Sequence, residues 1–128
     1  MSYSFYVTDH LGNRVPVHIR PATEEDFRRT VDDNWQTSWT TDYIRNPSLE
    51  KYAFETTETK ELVALGAYFD DQPGICVFIA YAEAQRDSNP TIIVKKEERR
   101  YYDIGRVVIA FGVFLSLNNG YDGTVYFC

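Results

Sequence analysis

The chain contains little of what marks secreted or metal-binding proteins. Its 128 residues include two cysteines, Cys76 in an apolar run and Cys128 at the last position. Cysteines so placed form neither a disulfide framework nor a CxxC metal motif. We therefore expect both thiols to be reduced, Cys76 to be a core residue, and no metal to be bound.

Long hydrophobic runs are also missing. A membrane-spanning helix needs about 20 apolar residues, whereas the best candidate, residues 107–117, covers 11 positions and includes Gly112 and Ser116. The first nine residues lack the basic and apolar regions of a signal peptide. These observations predict a cytoplasmic protein with no membrane partner.

Positive charge is in the minority, because 13 Lys and Arg oppose 19 Asp and Glu and leave a net charge of −6. Such a chain has no overall electrostatic attraction for nucleic acid, so we expect no nucleic-acid partner. The acidic balance instead favours a basic or amine-bearing ligand. The hydrophobic fraction of 44% at this length predicts one domain, residues 1–128, with its own core.

The common catalytic signatures are absent from the sequence. It has no HExxH zinc motif, no DxDxDG calcium loop, no GxSxG nucleophile elbow and no GxxxxGK[ST] phosphate loop. Nothing in these patterns argues for an enzyme that depends on a metal or on a catalytic triad.

The hydrophobic periodicity predicts the order β, β, α, β, β, β, α, β and therefore a mixed α+β fold. Pro16 predicts that the second strand lies at or near a sheet edge, and Thr23 with Asp26 predicts a capping box at the first helix. Residues 34–49 indicate a loop with room for one more short helix. The predicted strands are 4–8, 14–20, 52–56, 62–69, 75–83 and 123–127. The predicted helices run from the Thr23 cap to about Val31 or Asp33, and from Ile104 to about Asn118.

The most informative stretch is residues 99–109, which lead from an irregular loop into the second long helix. A helix N-terminus presents free backbone N–H groups and a partial positive charge, and so can hold a phosphate. Gly105 allows close backbone approach, and Arg99, Arg100 and Arg106 add positive charge. The residues alone leave two interpretations open, a phosphate site or a solvated charged loop before an ordinary helix.

Two segments resemble the GNAT superfamily of N-acetyltransferases. Residues 17–27 are similar to that family's opening strand and helix. The family's loop motif [RQ]-x-x-G-x-[GA] matches Arg100, Asp103 and Gly105, followed by a long helix. The resemblance extends from about residue 15 to the C-terminus and implies a mostly antiparallel sheet flanked by helices. It also implies that acetyl-coenzyme A is bound through its pyrophosphate by the loop residues Arg99, Arg100, Tyr101, Asp103, Ile104, Gly105 and Arg106.

The sequence departs from the family pattern at two points. Asp103 replaces the first glycine of the loop motif, and a carboxylate beside a pyrophosphate is repulsive unless it points to solvent. The chain also stops at about the family's fifth strand. We therefore expect the last helix and two strands to be missing, together with the tyrosine that often serves as general acid in that helix.

The resemblance further implies a carboxylate on the fourth strand that takes a proton from an ammonium substrate. Glu83 is the candidate base, because strand alternation places it on the same face as Ile79 and Tyr81. The alternative is that Glu83 only marks where a buried strand reaches the surface. Trp35, Trp39 and Tyr81 are candidates to line the acceptor pocket, or to pack in the core instead.

Two functions remain as expectations. The first is an acetyl-CoA-dependent N-acyltransferase, in which a small-molecule or protein amine attacks the thioester directly. The alternative is a shortened, non-catalytic module derived from that family, with a binding or inhibitory role. Residues 124–127 form an unpaired sheet edge in this plan. A homodimer is expected to cover that edge and the open face of the second helix, unless the N-terminal hairpin covers it within one chain.

Overall fold

A computed structural model describes residues 4–41, 44–71 and 76–127. The predictions for the side chain of Cys76, for Cys128 and for the first residue of the strand predicted at 75–83 lie outside this described part. Short 3₁₀ turns at Arg86–Ser88 and Lys96–Glu98 occupy the long connection after the fifth strand. The strands and helices are β1 (Phe5–Asp9), β2 (Arg14–Pro21), α1 (Glu24–Asp32), β3 (Glu50–Thr56), β4 (Leu62–Asp71), β5 (Cys76–Ala84), β6 (Tyr101–Tyr102), α2 (Ile104–Asn118) and β7 (Val125–Phe127).

The strands form one sheet in the order β6-β1-β2-β3-β4-β5-β7. Neighbouring strands are antiparallel, except that β5 and β7 run parallel. A parallel pair needs a long crossover connection, and here the crossover contains β6 and α2. The predicted mixed α+β class is confirmed.

The helix α2 packs on one face of the sheet. Val107, Val108 and Phe111 are among its buried residues, and each is at most 8% exposed. Phe111 lies at the centre of a cluster of rings, with centroid distances between 4.7 and 5.9 Å to Phe5, Tyr52, Phe54, Tyr68 and Phe114. Gly112 lets the helix approach closely, since a Cβ atom there would lie 3.2 Å from Val125 Cγ1.

The opposite face is covered by α1 and by the segment that follows it. Phe27 of α1 and the fully buried Trp39 pack there with apolar side chains of β3 and β4. The capping box predicted from Thr23 and Asp26 is present. Residues 34–41 and 44–49 contain turns and bends rather than the additional short helix.

A buried ion-pair network joins α1 to the sheet. Arg20 of β2 donates two hydrogen bonds to Asp26, at 2.7 and 2.9 Å, and two to Glu55 of β3, both at 3.2 Å. Burial alone would raise the pKa of Asp26, but the hydrogen bonds from Arg20 and Thr23 outweigh it and hold that pKa below 3.8. The carboxylate therefore stays charged and fixes the helix to two strands.

Pro16 lies near an edge of the sheet rather than at it, because within the described residues β1 and the two-residue β6 are the strands beyond its own on that side. Its strand, β2, lies between β1 and β3 in the sheet. The carbonyl of Pro16 accepts a hydrogen bond from the N–H of Thr57, which follows the last residue of β3. The nitrogen of Pro16 faces the same side, where β3 has already ended, so no ladder hydrogen bond is lost.

At the other side of the sheet, β7 is the last strand, and it pairs with β5 alone among the described residues. Tyr126 of β7 is 50% exposed, and Ile109 and Leu117 on the outer face of α2 are 45% and 44% exposed. The homodimer through this edge stays a prediction. Within the described residues, no helix has the length and hydrophobicity to cross a membrane.

Candidate functional site

A β-bulge divides β5 into two halves. Ala67 of β4 pairs with Tyr81, whereas its neighbour Tyr68 pairs with Ile79, so Ala80 is an extra residue in β5. A bulge reverses the alternation of side chains along its strand. Ile79 therefore packs with the α2 cluster, while Tyr81 packs with the α1 cluster. The prediction that Glu83 shares a face with Ile79 is wrong.

A cleft of about 350 Å³ lies beside the second half of β5. Within the described residues, β7 pairs with β5 only as far as Ile79, and the cleft lies farther along β5 beside the first turns of α2. Its walls come from β5, from α2, from the segment after α1 and from the loop after β5. The lining residues are Gln36, Thr37, Ala82, Glu83, Ala84, Asn89, Pro90, Thr91, Ile104, Gly105 and Val108.

The first turn of α2 opens onto this cleft without a side-chain cap. The N–H groups of the first three helical residues have no acceptor within a helix, and the first helical hydrogen bond runs from Val107 N to Asp103 O at 3.2 Å. A Cβ atom on Gly105 would meet no atom within 4 Å. Free N–H donors and open space therefore occur together at the mouth of the cleft.

Asp103 sets the position of this helix end. Its backbone is left-handed, with φ 67°, a conformation that aspartate tolerates better than most residues. Its carboxylate accepts a hydrogen bond from the hydroxyl of Thr8 at 2.7 Å. Asp103 thus lies in a groove between α2 and β1 and does not line the cleft.

The carboxylate of Glu83 is buried and occupied by hydrogen bonds. It accepts from the N–H groups of Gln36 at 2.7 Å and Thr37 at 3.1 Å, and from the indole of Trp39 at 2.9 Å. Glu83 itself is 8% exposed. The side chain therefore anchors the segment after α1 to β5, at the wall of the cleft.

The three aromatic candidates for the acceptor site are not brought together. Trp39 is fully buried in the α1 cluster. Trp35 lines a polar pocket of about 360 Å³ together with Arg100. Tyr81 lines an apolar pocket of about 440 Å³ on the other side of the bulge from the cleft.

The cations of the predicted phosphate loop are dispersed. Arg100 forms a bidentate ion pair with Glu61, at 2.6 and 2.7 Å. Burial would raise the pKa of Glu61, but the hydrogen bonds from Arg100 outweigh it and hold the pKa below 4.5. Arg99 donates to the carbonyls of Ile93 and Val94.

The remaining residues of the loop surround the helix end. Tyr101 is buried and pairs with Asp9 of β1, and burial raises the pKa of its hydroxyl. Ile104 is buried in the cleft wall, and Arg106 is exposed in the groove with Asp103. Of the seven loop residues, Ile104 and Gly105 line the cleft.

Sequence reasoning missed the residues that hold this site from other parts of the chain. Thr8 is 95 positions from Asp103, and Gln36 and Thr37 contribute backbone N–H groups rather than side chains. No local pattern reports such partners. The extra residue Ala80 likewise leaves no periodic signal, because one bulge shifts the alternation in the middle of an apolar strand.

No three of the His, Cys, Asp and Glu side chains in the described ranges meet in a way that could hold a metal ion. The groups that line the cleft are backbone N–H donors, small side chains and Glu83, whose carboxylate is already hydrogen-bonded. The chain has no significant match among protein-family models, curated proteins or solved structures.

Proposed function

We propose that this protein is an acetyl-CoA-dependent N-acyltransferase of the GNAT type, whose coenzyme site is the cleft between β5 and α2. The observation that carries the proposal is the uncapped first turn of α2, which opens onto that cleft with free space in front of Gly105. The proposal is also supported by the parallel pairing of β5 with β7, because the connection between these two strands contains α2.

The coenzyme's pyrophosphate is an anion of the kind that helix N-termini bind. Backbone N–H groups of Ile104, Gly105 and Arg106 are available as donors, and the helix dipole adds favourable charge. The remainder of the coenzyme extends along Ala82 and Ala84, whose small side chains leave room in the cleft. Because the Asp103 carboxylate is bonded to Thr8, it does not cover these donors.

The transfer step needs no acyl-enzyme. The nitrogen of the neutral acceptor amine forms a bond to the acetyl carbon, and the carbon–sulfur bond breaks. The nitrogen loses one proton to the departing thiolate, so the products are the amide and the free thiol of coenzyme A. An ammonium substrate first loses a proton to a base, and Glu83 is the candidate, since it lines the cleft.

A second candidate function is a coenzyme-binding module without catalysis. It is favoured by the three N–H donors that occupy the carboxylate of Glu83, because a base must have a free lone pair for the proton. The ion pair of Arg100 with Glu61 also leaves this cation outside the cleft.

Isothermal titration with coenzyme A tests the site. Gly105→Trp places a large side chain in front of the helix end, where a Cβ atom meets no protein atom within 4 Å, so we expect an intact fold and loss of binding. Ile109→Trp is the matched control, since it adds the same group to the exposed outer face of the same helix. Unchanged affinity in Gly105→Trp, or no binding by the wild type, would contradict the proposed site.

Thiol release from acetyl-CoA separates the two candidate functions. Release that depends on an added amine, such as a polyamine or a lysine peptide, supports the acyltransferase. Binding of coenzyme A without release across such a panel of amines supports the non-catalytic module.

A further inference from the structure

A second depression lies on the other side of the first two turns of α2. It is a groove of about 360 Å³ between α2 and the β1–β2 hairpin. Arg14 and Arg106 reach it from opposite walls, and Tyr6, Thr8 and Asp103 also line it. The groove is thus distinct from the cleft, although both adjoin the start of the same helix.

The two arginines of this groove are exposed and belong to none of the ion pairs in the described ranges, which use Arg20, Arg29, Arg45 and Arg100. The guanidinium of Arg14 lies 5.6 Å from the centre of the Tyr6 ring, a cation–π contact that holds it at the groove wall. Among the residues that line the groove, Asp103 supplies the one carboxylate, and that carboxylate accepts a hydrogen bond from Thr8. The groove is therefore net positive in a chain of net charge −6.

Guanidinium groups bind phosphate through paired, charge-assisted hydrogen bonds. A phosphomonoester carries close to two negative charges at neutral pH, which matches two cations more closely than a carboxylate does. The chemistry of the groove thus favours a phosphomonoester as its ligand.

We infer that this groove binds the 3′-phosphate of coenzyme A, held between Arg14 and Arg106. The inference rests on the proposed function. A pyrophosphate at the first turn of α2 has two ends, and consecutive residues of that turn face different depressions. Gly105 lines the cleft, which takes the thiol-bearing arm, and Arg106 lines the groove, which receives the phosphorylated ribose.

Titration of the full chain with coenzyme A and with 3′-dephospho-coenzyme A tests the inference. We expect the wild type to bind coenzyme A about tenfold more tightly, equivalent to about 1.4 kcal/mol. In the double variant Arg14→Gln/Arg106→Gln, the two ligands should bind equally. Arg28→Gln is the control, because Arg28 is an exposed arginine on α1, outside the groove. Circular dichroism checks that each variant is folded.

Each outcome has a distinct meaning. Loss of the preference in the double variant, with the preference kept in Arg28→Gln, supports the phosphate site. Equal binding of both ligands by the wild type, or a preference that survives in the double variant, overturns the inference and leaves the coenzyme site standing. Absence of binding by either ligand overturns the inference together with the proposed function.

Discussion

The two faces of the sheet are stabilised by different kinds of interaction. On the α2 face, Phe111 packs among five other rings, and the Tyr68 hydroxyl donates a hydrogen bond to the Val108 carbonyl of the helix. On the α1 face, the carboxylates of Asp26, Glu55 and Glu83 are buried and hydrogen-bonded.

This difference shows how a segment with a fixed position can lie beside a core that is held by apolar packing. Apolar burial is non-directional and changes little with pH, whereas a carboxylate that accepts several N–H groups fixes a backbone segment in one position. The candidate cleft lies where the two faces meet, with Val108 from the apolar side and Glu83 from the polar side. Substitutions that weaken one face at a time separate these two contributions.

The largest effect is expected from Phe111→Ala. Removal of this ring leaves a cavity at the centre of the α2 cluster, which costs about 3–5 kcal/mol of unfolding free energy. Ile109→Ala on the exposed side of α2 is the control, with an expected cost below about 1 kcal/mol. Urea denaturation measures both. Similar losses in the two variants would show that the ring cluster is not the main source of stability on this face.

A smaller loss, about 3 kcal/mol, is expected from Glu83→Ala, because two backbone N–H groups and one indole N–H lose their acceptor. Glu83→Gln keeps an acceptor oxygen and should lose less. If Glu83→Gln retains wild-type stability yet loses amine-dependent thiol release, the residue acts as the base. Wild-type stability of Glu83→Ala would contradict its role as an anchor.

The smallest expected effect is on the pH dependence of stability, which involves Asp26 on the α1 face. The pKa of Asp26 is below 3.8 in the folded protein, so its contribution is complete above the unfolded value and is lost as pH falls through the folded value. From about pH 6 to about pH 3, the wild type should lose more stability than Asp26→Asn. Asp32→Asn, an exposed position on α1, should behave as the wild type. Equal pH dependence in all three proteins would contradict the contribution of the network.

The sequence was sufficient for the parts of the fold that local patterns determine. The bounds of α2 and the capping box of α1 agree with the prediction, because helical periodicity and capping chemistry act within a few residues. The strand β6 was missed, since two residues are too few for a periodic signal. It forms where the chain returns to β1.

The site was predictable only in part. The open helix end at Gly105 follows from the sequence, because a loop leads directly into a strongly periodic helix. The directions of the side chains around it depend on distant partners. Arg100 forms an ion pair with Glu61, and Asp103 accepts a hydrogen bond from Thr8. The bulge at Ala80 turns Glu83 to the α1 face. Those pairings are tertiary and leave no mark in the local pattern.

The most direct test of the account is backbone amide chemical-shift mapping during a titration with coenzyme A. The account predicts saturable shifts that are largest at Ile104, Gly105 and Arg106, with smaller ones at Ala82 and Ala84. The amides of α1 should change little. Saturable shifts confined to α1 or to the pocket of Trp35, or no saturable shift at all, would contradict the assignment of the coenzyme site to the start of α2.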